Sequence, residues 1–152
     1  MNYLKRLKQS GEFEYSLGAN AEEIKHIEEE LGILLPEAYM DFLSECGSCN
    51  YGDVYINGIY KEKDSISYPV VELTKQLRED LHLSEDFIVL HYEVDEFLTL
   101  YKVSNKIRLK DAKVFEADVY YNDKGGFEID KPTPMFDSFE EYFEDFLDLA
   151  ED

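Results

Sequence analysis

Residues 27–47, IEEELGILLPEAYMDFLSECG, contain the end of one amphipathic helix and the whole of a second. The first helix is predicted to begin after Asn20, a favourable N-cap, with Glu23 at the third helical position to complete a capping box. Its apolar residues recur at helical spacing on one face: Ile24, Ile27 and Leu31. Gly32 follows, and a glycine commonly ends a helix. The pattern therefore predicts a helix between Asn20 and Gly32.

The second helix is predicted to follow the loop ILL, residues 33–35. Pro36 stands where a first helical turn tolerates proline, because the amide hydrogen that proline lacks would have no partner there. Apolar residues then follow at positions i, i+3, i+4 and i+7: Tyr39, Phe42, Leu43 and Cys46. This spacing places them on one face of a helix. Gly47 is the expected C-cap.

The hydrophobic period changes in the middle of the chain. DVYING, residues 53–58, ends in Asn57-Gly58, a strong turn signal that predicts a hairpin or a sharply turned strand. PVVELTKQLREDL, residues 69–81, returns to helical spacing. Four later stretches have the composition of antiparallel strands: FIVLHY (87–92), EFLTLYKV (96–103), KVFEADVYY (113–121) and FEI (127–129). The last two flank NDKGG, which predicts a hairpin turn.

The chain ends in an amphipathic helix within residues 137–152, DSFEEYFEDFLDLAED. Asp137 is the predicted N-cap, and Glu140 completes a capping box. One face is apolar: Phe139, Phe143, Phe146 and Leu147. The segment also holds eight acidic residues and no basic one. Its polar face is therefore either a solvated acidic surface or a surface for a basic protein.

Helices at both ends surround a strand-rich middle, which is the arrangement of an α+β protein. The opening MNYLKRLKQSG predicts a short helix packed on the domain. No internal repeat or Gly/Ser/Pro linker divides the chain, and 152 residues is the size of one ordinary domain. We expect a single domain over residues 1–152, with a central, mostly antiparallel sheet flanked by N-terminal helices and a C-terminal helix.

The charge balance restricts the partners of the protein. It has 35 acidic and 15 basic residues, for a formal net charge of −20. This charge repels phosphate backbones and anionic lipids, so direct binding to nucleic acid or to a membrane is not expected. It attracts basic partners, although acidity also serves solubility alone. No apolar run reaches the length of a membrane span, and the N-terminal stretch lacks the apolar middle of a secretion signal, so a cytoplasmic location is expected.

The only two cysteines form a CxxC spacing in ECGSCN, residues 45–50. A redox CxxC opens a helix, where the positive end of the helix dipole stabilises a thiolate. Cys46 instead lies at the predicted end of a helix, beside Glu45, so a buried structural role is favoured. Structural zinc would need two further ligands. The histidines occur singly, and only the fold could gather two of them beside the cysteines: His26, His82 and His91.

No motif for catalysis is present. The sequence has neither a GxSxG nucleophile elbow nor a phosphate-binding loop, and carboxylate pairs are uninformative in a chain with 35 acids. We therefore expect a protein that is not an enzyme and that has no cofactor and no metal.

Residues 27–47 resemble the opening of the Smi1/Knr4 family, also called the SUKH superfamily. The residues that match are Ile27, Glu28, Leu31, Gly32, Leu35, Pro36, Tyr39, Phe42, Leu43 and Gly47. The late DSFEEYFEDFL is similar to the closing helix of the family through Ser138, Phe139 and Phe143. The resemblance spans about residues 20–149 and implies the same α+β fold.

The resemblance implies a binding module, because many bacterial members look like immunity proteins that neutralise a toxin encoded nearby, often a nuclease. The implied mechanism is stoichiometric occlusion of a basic toxin by an acidic surface. The alternative is a regulatory or scaffold module that binds a cellular partner unconnected with toxins. The oligomeric state stays open.

Acidic and tyrosine side chains on the strand-rich middle have the residue types of a contact surface for a basic partner. The predicted contact residues are Asp53, Tyr55, Tyr60, Glu93, Asp95 and Tyr101.

Overall fold

The computed structural model describes residues 1–151 and contains five α-helices and ten short to medium β-strands. The helices are α1 Tyr3–Ser10, α2 Ala21–Leu31, α3 Glu37–Cys46, α4 Pro69–Asp80 and α5 Phe139–Leu147, which a 3-10 turn at Asp148–Ala150 extends. The strands are β1 Glu14–Tyr15, β2 Cys49–Tyr51, β3 Val54–Ile56, β4 Tyr60–Lys61, β5 Ile66–Ser67, β6 Phe87–Glu93, β7 Phe97–Lys102, β8 Val114–Tyr121, β9 Phe127–Ile129 and β10 Thr133–Phe136.

The strands form one main sheet and two small ones. The main sheet has the order β10-β8-β7-β6, and β9 also pairs with β8. The small sheets are β1-β2-β3 and β4-β5. Every strand pair in the described residues is antiparallel. The predicted α+β class with a mostly antiparallel sheet is confirmed, as is the predicted hairpin of β8 with β9.

Two apolar clusters form the core. In the larger one, α1, α2, α3 and α5 pack their apolar faces together, and the predicted stripe of Tyr39, Phe42, Leu43 and Cys46 is fully buried. Tyr3 of α1 contacts Phe42 and Phe143 edge to face, with ring centroids 5.8 and 4.9 Å apart. The smaller cluster joins Leu77 of α4 to β6, β7 and β8. The predicted N-terminal helix therefore belongs to the core.

The ends of α2 follow the sequence prediction. The side chain of Asn20 accepts a hydrogen bond from the Glu23 amide, and the Glu23 carboxylate accepts one from the Asn20 amide, at 2.9 and 2.8 Å. Gly32 takes the left-handed conformation, with φ of 66°. These contacts lie within a few residues of one another, which is why the sequence alone predicts them.

The N-cap of α5 was predicted one residue too early. Ser138, and not Asp137, is the N-cap, because its hydroxyl accepts a hydrogen bond from the Glu141 amide at 3.1 Å. The Glu141 carboxylate, and not that of Glu140, in turn accepts the Asp137 amide at 3.1 Å. The helix begins at Phe139, so both capping positions move by one residue along the chain.

Asn57-Gly58 is a sharply turned connection and not a hairpin turn. The strands on its two sides pair elsewhere, β3 with β2 and β4 with β5. Asn57 is buried, and its side-chain amide donates to the Val89 carbonyl at 3.1 Å. Its backbone amide donates to the Leu90 carbonyl at 2.7 Å. The connection therefore joins the small sheets to β6.

Polar contacts of the Glu28 side chain hold the α2–α3 loop in place. The Glu28 carboxylate accepts the Leu35 amide at 2.7 Å and the Arg108 guanidinium at 2.6 Å. Pro36 is the N-cap of α3 and supplies no side-chain hydrogen bond. The carbonyls of Leu109 and Lys110 replace it, because they accept the first two amides of the helix, each at 2.9 Å. The segment between β7 and β8, which is far from α3 along the chain, therefore supplies the acceptors for the first amides of this helix.

Candidate partner-binding surface

An open groove of about 660 Å³ lies between the β2–β3 hairpin, the β4–β5 pair and the start of α4. Three of the predicted contact residues line it, namely Asp53, Tyr55 and Tyr60. Its floor is mostly apolar, with Ile56 and Leu73 among the lining residues. Asp53 is the one charged residue among those that line it. The structure thus brings together three residues that the sequence analysis selected by type.

Tyr55 connects this groove to the main sheet. Its hydroxyl donates to the Tyr92 carbonyl at 3.2 Å and accepts the Tyr92 amide at 3.1 Å. Burial raises the pKa of Tyr55, so the hydroxyl keeps its proton and both hydrogen bonds. The Tyr92 hydroxyl accepts the Asp95 amide at 3.3 Å. These hydrogen bonds therefore fix the position of the groove relative to the β6–β7 turn.

Glu93, the last residue of β6, and Asp95, in the β6–β7 turn, are predicted contact residues and belong to an acidic end of the sheet. The Glu96 carbonyl accepts the Val119 amide at 2.8 Å, and the Asp118 carbonyl accepts the Asp130 amide at 3.0 Å. Both contacts bring further acids to this end of the sheet: Glu96, Asp118 and Asp130. These three residues are not among the predicted contact residues, because their proximity depends on the register of β8 with β7 and β9.

Tyr60 is the most exposed of the selected tyrosines, with 51% of its surface accessible. Its hydroxyl donates to the Glu62 carboxylate at 2.9 Å, and this bond is the main reason why the pKa of Tyr60 is raised. Tyr60 therefore offers an aromatic face next to a negative charge. This combination suits contact with a lysine or arginine side chain.

Tyr101 cannot contact a partner and was wrongly selected. Its ring is fully buried between Tyr39 and Phe139, with centroids 5.8 and 5.5 Å away. Its hydroxyl donates to the Asp111 carboxylate at 2.7 Å. The strand carries alternating side chains, and the sequence does not say which face the helices cover. Tyr101 is a core residue.

The CxxC pair is structural. Cys46 and Cys49 are both buried and both free thiols. Burial, followed by the nearby Glu45, raises the pKa of Cys46 to about 12. Burial also raises the pKa of Cys49. Neither thiol has the positive surroundings that a reactive thiolate needs.

We expect Cys46 to react slowly with iodoacetamide in the native protein near neutral pH. A rise in pKa from 9.0 to about 12 lowers the thiolate fraction about a thousandfold, and burial slows access further. Mass spectrometry of timed samples measures the rate, with the urea-unfolded protein as the control in which both cysteines react. Native labelling as fast as that of the unfolded chain would contradict the structural assignment.

Residues 1–151 contain neither a group of metal-ligand side chains nor a helix of membrane-spanning character. Within residues 1–151, no three or more His, Cys, Asp or Glu side chains lie close enough together to ligate a metal ion. The alternative of two histidines gathered beside the cysteines therefore does not occur in this part of the chain. None of the described helices has both the length and the apolar composition needed to cross a bilayer.

A protein-family model described as SUKH_5, SMI1-KNR4 cell-wall, matches residues 2–148. No curated protein matches the chain significantly. The matched range includes the groove, the acidic end of the sheet and both closing elements, β10 and α5.

Proposed function

The chain belongs to the SMI1-KNR4 family, and from this premise we propose that it is an immunity protein that neutralises a basic toxin by stoichiometric binding. Membership in this family is consistent with a binding or immunity protein. The proposed mechanism is occlusion, in which the protein covers the active site of the toxin.

The groove beside Asp53, Tyr55 and Tyr60 is the observation that carries this proposal. It combines an apolar floor, the exposed ring of Tyr60, the half-buried ring of Tyr55 and a carboxylate, without a lysine or arginine in its lining. Aromatic side chains and a desolvated centre are typical of the parts of interfaces that contribute most to binding. The acidic end of the sheet is held next to it through Tyr55 and Tyr92.

A nuclease is the toxin class that this charge fits best. A nuclease must bind phosphate backbones, so its active-site groove is basic. An inhibitor with a net charge of −20 is complementary to such a groove and is steered towards it. Fast capture matters for an immunity protein, because each free toxin molecule acts until it is bound.

Co-expression tests the proposal. The protein is produced in host cells together with the product of each neighbouring toxin-like gene, and survival is measured. Rescue from one of these toxins, with a complex of fixed stoichiometry, is the expected result. Death that is unchanged with every neighbouring toxin would reject the proposal and favour the regulatory or scaffold role.

Charge reversal tests the surface. The double variant Asp53→Lys/Asp95→Lys is expected to slow association with the rescued toxin at least about tenfold at low salt, because electrostatic steering dominates the association rate. Stopped-flow kinetics at two salt concentrations measures this effect. The matched control is Glu79→Lys/Asp80→Lys at the end of α4, which has the same net charge and exposed side chains. Equal rates in both variants would place the contact surface elsewhere.

A further inference from the structure

A second cavity, of about 270 Å³, lies between α5 and the main sheet. Three carboxylates line it, those of Glu93, Glu116 and Asp145, and no lysine or arginine does so. It is smaller than the roughly 300–1,000 Å³ of typical sites for drug-sized ligands. Its size suits a side-chain-sized ligand and is too small for a nucleotide.

A β-bulge positions the polar side chains of this cavity. The register of β6 against β7 shifts between Val89 and His91, so Leu90 is an extra residue. His91 then lies opposite Thr99, and Glu93 lies opposite Phe97. On the next strand, Glu116 lies opposite Thr99. The five residues of these opposed pairs line the cavity, and Val89 and Leu90 do not: His91, Thr99, Glu93, Phe97 and Glu116.

Aromatic rings form much of the remaining wall, from Phe97 on the sheet, Phe136 on β10, and Tyr142 and Phe146 on α5. An aromatic face attracts a cation, and the attraction grows when the site excludes water. Aromatic rings together with carboxylates therefore favour an organic cation over a neutral or anionic ligand.

An unused hydroxyl points to the same conclusion. Thr99 lines the cavity and is only 9% exposed, and its hydroxyl has no hydrogen-bond partner within residues 1–151. The hydroxyl oxygen is not among the fully buried atoms that lack a partner, so it is accessible from the cavity and can accept a hydrogen bond from a ligand N–H group. His91 differs, because its ring nitrogens already lie 3.2 Å from the Tyr55 carbonyl and 3.1 Å from the Glu93 carboxylate.

We propose that this cavity binds a guanidinium or primary ammonium group at the end of a short aliphatic chain. Glu116 and Asp145 neutralise the charge, Thr99 accepts one N–H group, and the aromatic rings cover the aliphatic part. Either a protein side chain or a free alkylamine has this chemistry. Glu93 lines this cavity and also belongs to the acidic end of the sheet, but binding of a small cation is measured without a toxin, so the test is independent of the proposed function.

Titration followed by NMR tests the proposal on the whole chain. The probes are agmatine and the peptide acetyl-Gly-Arg-Gly-amide, with the neutral citrulline peptide as the control. We expect saturable shifts of the Thr99 and His91 signals with at least one cationic probe at millimolar concentration and none with the citrulline peptide. Binding of the peptide alone identifies a protein side chain as the source, and binding of agmatine alone identifies a free amine. No shift with either cation, or equal shifts with citrulline, overturns the proposal.

A pair of variants distinguishes binding in the cavity from general attraction of a cation to the acidic protein. Glu116→Gln is expected to weaken binding of the cationic probe at least tenfold, whereas Asp123→Asn, in the exposed turn before β9, loses the same charge and should bind normally. The thermal midpoint of both variants is measured first, and Glu116→Asp gives a second, charge-preserving replacement should the glutamine variant not fold. Equal weakening by Asp123→Asn contradicts binding in the cavity.

Discussion

Replacement of Gly58 by alanine is expected to unfold the protein or to cost at least about 3 kcal/mol of its free energy of unfolding. A Cβ atom at this position would lie only 2.0 Å from the Gly47 carbonyl oxygen and 2.8 Å from a methyl group of Leu43. The Gly47 oxygen cannot move away freely, because it accepts the Ile59 amide at 2.9 Å. The Gly58 carbonyl meanwhile accepts the Val70 amide at 3.0 Å, at the start of α4.

Gly126→Ala is the matched control for this change. Its added Cβ would meet only the Asn122 side chain, at 3.8 Å, and its φ does not lie in the left-handed region. We expect this variant to stay within about 0.5 kcal/mol of the original protein, since surface changes away from special contacts are usually that small. Urea unfolding followed by circular dichroism measures both variants. A Gly58→Ala protein as stable as Gly126→Ala would show that α3 and the β3–β4 connection do not approach so closely.

Replacement of Asp111 by alanine is expected to lower the free energy of unfolding by about 2–4 kcal/mol. One oxygen of this carboxylate accepts the Tyr101 hydroxyl at 2.7 Å and the Phe139 amide at 2.8 Å. It also accepts the Ala112 amide at 2.7 Å. Without it, the buried Tyr101 hydroxyl loses its partner, and an amide at the start of α5 loses its acceptor. An unsatisfied buried polar group costs more than the net contribution of the hydrogen bond itself.

A double-mutant cycle identifies the contact behind this loss. Tyr101→Phe removes one of the three donors, so the double variant should lose less than the sum of the two single changes, by about 1 kcal/mol. Asp137→Ala is the control, since its carboxylate does not cap α5, and it should change stability by less than about 0.5 kcal/mol. Strict additivity of the two core changes would contradict the Tyr101–Asp111 hydrogen bond, and a large effect at Asp137 would contradict Ser138 as the N-cap of α5.

The structural features that depend on contacts between residues close together in the chain could be predicted from the sequence. The Asn20–Glu23 capping box, the turn of Gly32 and the buried face of α3 all depend on residues within about one or two helical turns. The features that depend on a partner far away in the sequence could not be predicted. Asn57 has the residue types of a hairpin turn, but its amide groups bind β6, more than thirty residues further along the chain. The Tyr101 error has the same cause, because α5 covers that side of β7.

The same distinction between local and distant contacts applies to the two proposed binding sites. Charge and residue type were sufficient to select Asp53, Tyr55 and Tyr60, and the fold places them around one groove. The cation cavity could not be predicted, because it needs the bulge at Leu90, the register of three strands and the position of α5. A shift of one residue in register would turn His91 and Glu93 to the opposite face.

By itself, the sequence determined the helices, the strand-rich middle, the acidity and the structural role of the cysteines. Each of these follows from composition or from spacing along a short segment. Only the tertiary structure decided how residues 27–47 are held in place. Glu28 and Arg108 are eighty residues apart, and the amides at the start of α3 bind carbonyls of the β7–β8 segment. Such contacts join groups that the order of residues leaves far apart, so only packing brings them within hydrogen-bond distance.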